Sequence, residues 1–370
     1  MGKDLFSYPA PSDENGSAGG EQMEINIDVA HADRTPRLED VARQAGVSIT
    51  TVSRVLNNTA PVSNRTRTRV EAAIRTLGYT PRQTGAPAPV VGVALLVTDV
   101  LNPFYTRIVR GAGEEIEADG LALLLFDTME DPEHEARVLT KLMAWELGGV
   151  LVLGSRLSSE ELIAFQSKRK VPMVVINRNI RHPDIACVLV DSERATYRAT
   201  QYLLNLGHSR IAYLGGPPLA DSSQRRLAGV QNAMNSAGLQ LRPEWTVAGF
   251  PNSDGGFQAM SNLLATTMPT FPTGVIVYND LMALGALHAI RSQGLNVPDD
   301  ISVIGFDDIA MAAHANPPLT TISQPKYHMG RLAVQLLRAM RTSDPTPSEG
   351  YVLLESPLII RESTAPPRTE

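Results

Sequence analysis

The apolar positions Leu38, Val41, Ala42 and Ala45 recur at the i, i+3, i+4, i+7 spacing of a helix with one buried face. Gly46 predicts its end, because glycine accepts the left-handed backbone that closes a helix. Ser48 predicts the N-cap of a second helix, which turns Val52, Val55 and Leu56 inward and shows Thr50, Ser53, Arg54 and Asn57 on its opposite face. Ser63 predicts the cap of a third, with Val70, Ile74 and Leu77 inward, Arg65, Arg67 and Arg69 near its start and Gly78 at its stop.

From Val90 onward the pattern changes. Short apolar runs predict strands over 90–97, 121–126, 149–153, 172–176, 187–190, 210–214, 274–278 and 301–305. Between most of them lie stretches of helical length, including 105–118, 132–145, 192–205, 224–236 and 281–292. Strand–helix alternation predicts parallel sheets covered by helices. The units are too many for one small sheet, so two doubly wound parallel-sheet subdomains are expected. Between head and core, residues 81–89 hold three prolines and a glycine, and they predict a linker without a regular helix.

Composition bounds the chemistry. In a chain of 370 residues, 43% hydrophobic and 19% charged, there is room for two or three globular domains. A single cysteine, Cys187, excludes an intramolecular disulfide framework and a four-cysteine metal site. No apolar run approaches the roughly 18 to 20 residues of a membrane helix, and the polar, acidic first residues carry no signal or transit peptide. No membrane partner and a cytoplasmic location are therefore expected.

The net charge of −6 hides a partition. Residues 1–33 carry Lys3 against seven acids; residues 34–82 carry nine arginines against Glu39, Asp40 and Glu71; residues 83–370 carry 23 cations against 29 anions. The basic segment coincides with the three short helices. Residues 1–35, rich in Gly, Ser, Pro and acid, are expected to form a disordered acidic tail, in the plainer reading a solubilising extension.

Two helices joined by a short turn with glycine, the second with a polar face, describe a helix-turn-helix, whose second helix enters the DNA major groove. Ile49, Thr50, Ser53 and Arg54 are then the candidate base readers, with Arg54 able to pair bidentately with guanine. Ser63, Thr66 and Arg67 are better placed for phosphates. A three-helix protein-interaction domain with solvated arginines fits the composition equally well.

In the core, ligands of open α/β sheets bind beyond the carboxyl ends of strands. Those positions hold Asp99, Asp127-Thr128, Ser155-Arg156, Asn177-Arg178, Asp191, Asn279-Asp280 and Asp307-Asp308. Mixed Asp, Asn and Arg suit a polyhydroxylated or otherwise polar small molecule. Each residue also has a plainer role: Asn279 or Asp280 as a helix cap, Asp191 and Asp308 as partners of loop amides, Asp127 as the start of a turn. An enzyme is the main alternative, but the sequence has no P-loop lysine motif, no G-x-S-x-G elbow and no H-E-x-x-H helix, and Gly111-Ala112-Gly113 is only a fragment of a dinucleotide fingerprint inside a helical stretch. The seven histidines lack ligand spacing, so neither metal nor cofactor is expected. A transport-type binding protein would need export and has no use for a basic head.

The run from Leu38 to Asn57, LEDVARQAGVSITTVSRVLN, closely resembles the DNA-binding head of the lactose-repressor (LacI/GalR) family, and Val62-Ser63, Thr66-Arg67 and Leu77-Gly78-Tyr79-Thr80-Pro81 continue the match. Later motifs extend the resemblance over about residues 36–364: Asn102-Pro103-Phe104, Leu206-Gly207-His208, Arg226-Leu227-Ala228-Gly229, the run 278–285, the run 297–308 and Pro318-Leu319-Thr320-Thr321-Ile322. The resemblance implies a small all-α helix-turn-helix head on a periplasmic-binding-protein-like core, a homodimer or higher oligomer, a near-palindromic double-stranded operator and repression tuned by a small polar, sugar-like effector. It implies DNA contacts at Ser48, Ile49, Thr50, Ser53, Arg54, Asn57, Ser63, Thr66 and Arg67. For the effector it implies Arg226, Asn279 and Asp307, then Arg178, with Asp99, Asn102 and Phe104 at the cleft mouth; Asp127 joins them from the strand-end argument.

The implied domains are 36–80 for the head, 81–89 for the linker and 90–364 for the core, with 365–370 as a tail. The core divides into 90–190 plus about 324–353, and 191–323 plus about 354–364. Two departures stand out. The linker is several residues shorter than in relatives and has no leucine for a minor-groove hinge helix, which predicts weaker coupling between effector and DNA. The aromatic residue that relatives carry near Pro251 is not at the matching place, although Phe250 is adjacent.

Overall fold

The computed structural model describes residues 36–57, 61–79, 92–218, 220–267, 269–342 and 350–368. The expected acidic tail and the linker with its missing hinge helix lie outside them. The chain divides into two compact units, Met1–Ala86 and Pro87–Glu370.

The first unit holds α1 (Leu38–Ala45), α2 (Ile49–Asn57) and α3 (Asn64–Leu77). Its core is the predicted stripe: Val41, Ala42, Ala45, Val52, Val55, Val70 and Ala73 are buried together, with Leu38, Leu56, Ile74 and Leu77 packed against them. Gly46 and Gly78 both adopt φ 62° and end α1 and α3 where the sequence places the stops. Arg69 crosses from α3 to donate to the carbonyls of Ala45 at 2.6 Å and Gly46 at 3.3 Å, a cation on the carbonyl end of α1.

The second unit contains two six-stranded sheets. One has the order β11-β5-β4-β3-β1-β2, built from β1 (Gly92–Val97), β2 (Ala122–Asp127), β3 (Leu147–Leu153), β4 (Met173–Ile176), β5 (Ile185–Val190) and β11 (Tyr351–Leu354). The other has the order β12-β10-β9-β8-β6-β7, built from β6 (Ile211–Gly215), β7 (Thr246–Ala248), β8 (Gly274–Val277), β9 (Ser302–Asp307), β10 (Thr320–Ser323) and β12 (Leu358–Ile359). The intervening helices are α4 (Pro103–Ala118), α5 (Pro132–Leu142), α6 (Ser159–Arg169), α7 (Ser192–Asn205), α8 (Asp221–Ser236), α9 (Ser253–Thr267), α10 (Asp280–Ser292) and α11 (Lys326–Thr342). Every ladder is parallel except β10–β12. Central strands such as β1, β4, β5 and β9 are buried along their whole length, which is why they read as unbroken apolar runs rather than as an alternation. The chain passes between the sheets at Asp191, after Ser323 and after Leu354.

Strands β7, β10, β11 and β12 were not among the runs read from the sequence. They have three, four, four and two residues; β10 is Thr-Thr-Ile-Ser, and β11, though it is Tyr-Val-Leu-Leu, is a four-residue edge strand left half-buried to exposed. The tail assigned to 365–370 also needs correction. Residues 365–368 are tied to the second sheet: the Ala365 amide donates to Ser302 Oγ at 3.0 Å, and Arg368 meets Asp300 at 2.7 Å.

His208 holds the same segment, with Nε2 2.9 Å from the Ala365 carbonyl and Nδ1 3.0 Å from Thr273 Oγ1. A carbonyl only accepts, so Nε2 carries the proton; burial favours the neutral imidazole, in which Nδ1 accepts from Thr273. Burial lowers the His208 pKa, against the opposing effect of the Ala365 bond. The unfolded chain therefore takes up a proton below about pH 6.5 that the folded chain resists. The stabilisation from His208 is complete above that value and is lost as pH falls through it toward the lower folded value. The gap in melting temperature between the parent protein and His208→Gln is expected to shrink from pH 7.5 to pH 5.5; a constant gap would contradict this.

Helices α4 and α11 approach closely through two glycines. A methyl group at Gly111 would lie 2.2 Å from the Tyr327 carbonyl oxygen, and one at Gly330 would lie 2.1 Å from that of Ile108. Both obstacles are backbone, so the helices must separate to admit it. Gly111 thus serves packing, not a dinucleotide. Gly111→Ala is expected to destabilise the core by about 1–3 kcal/mol in denaturant unfolding.

Candidate functional site

On the head, Ser48 and Ser63 each act as a cap, accepting from the amides of Thr51 at 3.2 Å and Thr66 at 3.3 Å. Each hydroxyl also bonds the following threonine's hydroxyl at 2.8 Å. These bonds leave the first turns of α2 and α3 facing solvent. Ile49, Thr50 and Arg54 are exposed on α2, Ile49 at 47% despite being apolar. Ser53 lies on the same face, half-buried, and Asn57 is the last residue of the helix. Thr66 and Arg67 are half-buried at the start of α3. An exposed isoleucine thus stands beside an exposed arginine on a helix whose other face is core.

In the core, the strand order reverses between β1 and β3 and again between β6 and β8. Carboxyl ends at such reversals diverge and leave a crevice. Here they open on a cleft lined by residues of both subdomains. Six of the eight expected effector residues line it: Asn102, Phe104, Arg178, Arg226, Asn279 and Asp307. Asp99 and Asp127 do not. Their carboxylates fold back on their own loops, accepting from the amides of Leu101 at 2.9 Å and Met129 at 3.1 Å. Strand-end position identified the right loops but not the direction of these two side chains.

Arg226 is the centre of the second-subdomain wall. Its guanidinium lies between aromatic rings, 3.7 Å from the centroid of Phe306 and 4.5 Å from that of Tyr278. Nη1 donates to the Tyr278 carbonyl, and Nη2 stands 3.9 Å from Asp307 Oδ1, an ion-pair distance too long for a hydrogen bond. Nε is buried with no hydrogen-bond partner. Leaving such a donor unpaired costs about 1–3 kcal/mol.

Asp307 is equally buried and accepts from Gln324 Nε2 at 2.7 Å. Burial raises its pKa, while Arg226, Gln324 and Lys326 pull it down. Its backbone is strained: Asp307 has φ 119° and Asp308 φ 55°, positions that non-glycine residues hold only when the surroundings insist. Lys326 Nζ supplies that insistence, donating to both their carbonyls. Behind them Asp280 accepts from Thr321 Oγ1 at 2.5 Å and the Ile309 amide at 2.9 Å, its pKa raised by burial and then by Asp307.

Asn279 fills the plainer role as well. Its Oδ1 caps α10 through the Met282 amide at 2.8 Å, and its Nδ2 fixes the Pro251 carbonyl at 2.9 Å. Asn102 likewise caps α4, accepting from the Phe104 amide at 2.9 Å. Arg178 turns toward the start of α6, donating to the Leu157 carbonyl and to Ser159 Oγ.

The structure adds residues that sequence reasoning did not select. Arg156 pairs with Glu130 at 2.5 Å on the first-subdomain wall; burial opposes its charge most, but Glu130, Tyr278 and Tyr105 together outweigh burial and raise its pKa. Tyr105, edge-on to Phe104 at 5.1 Å between centroids, and Tyr278, bonded to Ser222 Oγ at 2.8 Å, supply aromatic walls. Phe250 is 54% exposed and lines nothing; only its neighbour Pro251 reaches the cleft. Arg156 did stand at a strand end in the sequence, whereas Tyr278 was read as the last residue of a strand, where an aromatic passes for core.

Two family models match the chain: bacterial regulatory proteins of the lacI family over residues 37–82, and a periplasmic binding protein-like domain over residues 200–364. Among curated proteins, the HTH-type transcriptional repressor CytR of Escherichia coli (strain K12) is 36% identical over 330 residues, 88% of this chain and 96% of the relative. The chain belongs to the lacI family of bacterial regulatory proteins. The HTH-type transcriptional repressor PurR of Pasteurella multocida (strain Pm70) is 34% identical over 88% of this chain and 98% of its own length. Among solved structures, a lac repressor dimer bound to operator and the anti-inducer ONPF matches with TM-score 0.69 and 30% identity, over 90% of this chain and 100% of that one. A CelR–cellobiose complex matches with TM-score 0.67 and 34% identity, over 89% and 99%.

As a lacI-family member, the chain is a DNA-binding transcriptional repressor with an effector-sensing core, and it is not an enzyme. No helix among the described residues is long and apolar enough to cross a membrane. No group of three or more His, Cys, Asp or Glu placed to hold a metal ion occurs among them.

Proposed function

We propose that the chain represses transcription as a homodimer on a near-palindromic operator and that its cleft takes an uncharged, polyhydroxylated ring compound of the sugar class. The observation that carries this reading is the buried Arg226 guanidinium, whose Nε has no partner and whose Nη2 stands 3.9 Å from an Asp307 carboxylate that Gln324 only partly occupies. A donor next to an acceptor matches adjacent hydroxyls of a sugar ring. Phe104, Tyr105 and Tyr278 offer the apolar faces such a ring uses. The other cleft cations are already engaged, Arg156 by Glu130 and Arg178 by Leu157 and Ser159, which disfavours a charged effector. The bound sugar of the CelR complex supports the same class.

A dimer presents two heads to successive major-groove half-sites about 34–36 Å apart. An effector that prefers one arrangement of the two core subdomains changes operator affinity, and operator then changes effector affinity by the same factor. Calorimetric titration of the full chain with cellobiose, ribose, neutral nucleosides and their phosphate esters, with and without operator DNA, tests the reading. Binding of a neutral compound at one site per chain, altered by operator, is expected. Binding confined to the phosphate esters would overturn the effector class.

A further inference from the structure

A second cavity, of about 600 Å³, opens on the core at the crossover from β10 to α11. It is separated from the effector cleft by Gln324 and Lys326, which touch Asp307 from the far side. Its charge is one-sided. Arg107, Lys326 and His328 line it, and Asp308 is its only acid. That acid is committed elsewhere: Oδ1 pairs with Arg361 at 2.7 Å and Oδ2 accepts from Ser323 at 2.9 Å. Arg107 and His328 are exposed and make no hydrogen bond or ion pair with the described residues. Lys326 is half-buried, and its donors rest on main-chain carbonyls rather than on a carboxylate. Burial lowers the Lys326 pKa and the like charge of Arg107 lowers it further, against the pull of Asp307, Asp308 and Asp280.

Two cations, Arg107 and Lys326, with the His328 imidazole beside them and the one lining acid already paired, around a cavity far larger than a water molecule, favour an anion with several oxygens. The remaining walls include Pro103, Ile309 and Pro325, which suit a carbon skeleton attached to it. We propose that this cavity is a second ligand site, for a phosphate group carried by a small organic molecule. The anion bonds Arg107, Lys326 and His328. Through Lys326 it acts on the carbonyls of Asp307 and Asp308, and hence on the strained turn that presents Asp307 to the cleft. Phosphate compounds thereby tune the response to the neutral effector from outside its cleft. This coupling rests on the effector reading above; the binding itself does not.

The test is thermal denaturation and calorimetry of the full chain with inorganic phosphate and with glycerol 3-phosphate, each against sodium chloride at matched ionic strength. The parent is compared with Arg107→Gln/His328→Gln, whose two side chains are exposed and unbonded, so the fold is expected to survive. The expected result is a rise in melting temperature of several degrees with glycerol 3-phosphate at millimolar concentration, a smaller rise with inorganic phosphate, and at least a tenfold weaker affinity for both in the double variant. A rise with inorganic phosphate alone that the variant loses keeps the anion site but removes the organic part. Equal shifts in parent and variant would place the anion elsewhere, the basic head included, and overturn the proposal. So would no shift beyond that of chloride. Failure of every neutral sugar to bind would leave these titrations unchanged, so the two readings fail separately.

Discussion

Arg226→Lys is expected to weaken effector binding by roughly 30- to 1000-fold while leaving the operator affinity of the effector-free protein within about twofold. The magnitude follows from what the side chain does. Arg226 is buried, held between Phe306 and Tyr278, and tied to the Tyr278 carbonyl, so its guanidinium is fixed before the ligand arrives. Lysine keeps the charge beside Asp307 but loses the planar fork and the ring stacking. Losing a fixed, desolvated donor of this kind costs about 2–4 kcal/mol, and each 1.4 kcal/mol is tenfold. Lysine is chosen over alanine because alanine would strand a buried Asp307 without its cation, and the fold itself would suffer.

Asp307→Asn completes the experiment. It preserves shape and the contact to Gln324, and it replaces a charged acceptor by a neutral one. Affinity for a polyhydroxylated ligand is expected to fall at least tenfold, and the melting temperature to fall with it, because the change leaves the buried Arg226 cation without its nearby carboxylate. Unchanged affinity in both variants, measured by calorimetry, would remove this pair from the effector site.

The contrast between Arg226 and Asp99 shows what the sequence does and does not carry. Asp99 stands at the carboxyl end of a strand, where strand-end logic selects it, whereas Arg226 lies within α8 and only the family resemblance selects it. Arg226 has a long side chain on a helix that begins at the cleft, and it reaches in. The short Asp99 side chain finds an amide two residues ahead and stops there, as does Asp127. Composition and spacing do not distinguish these outcomes, because the competing partner is the backbone, whose path is set by the whole fold. Tyr278 and Glu130 escape for related reasons. One reads as the end of a strand, and the other lies beyond a turn in which Met129 and Glu130 both take positive φ, which no residue type there announces.

The central strands were legible because burial on both faces leaves continuous apolar runs. Strand β12, two residues long and antiparallel to β10, gains its partner only from the return of the chain to the second sheet, a tertiary fact. The same return seats residues 365–368 against His208 and Ser302, so the boundary of the core lies beyond the point where the resemblance stops.

Arg54→Ala is expected to reduce specific operator affinity by roughly 10- to 100-fold with little change in melting temperature. Arg54 is exposed on the face of α2 opposite Val52 and Val55, so truncating it removes no core contact. A bidentate arginine–guanine pair is worth about 1–3 kcal/mol of discrimination, which sets the range. The informative quantity is which affinity falls. If Arg54 reads a base, affinity for the operator falls and affinity for random duplex of equal length barely moves, so the specificity ratio collapses. If it only neutralises a phosphate, both affinities fall together, and the slope of log affinity against log salt drops by about one in both cases. Arg67, at the start of α3, is the built-in control: Arg67→Ala is expected to give the second pattern. Titrating both variants against operator and random duplex between 50 and 200 mM salt separates the roles, and a phosphate-type pattern for Arg54 would move base reading to Ile49, Thr50 and Ser53 alone.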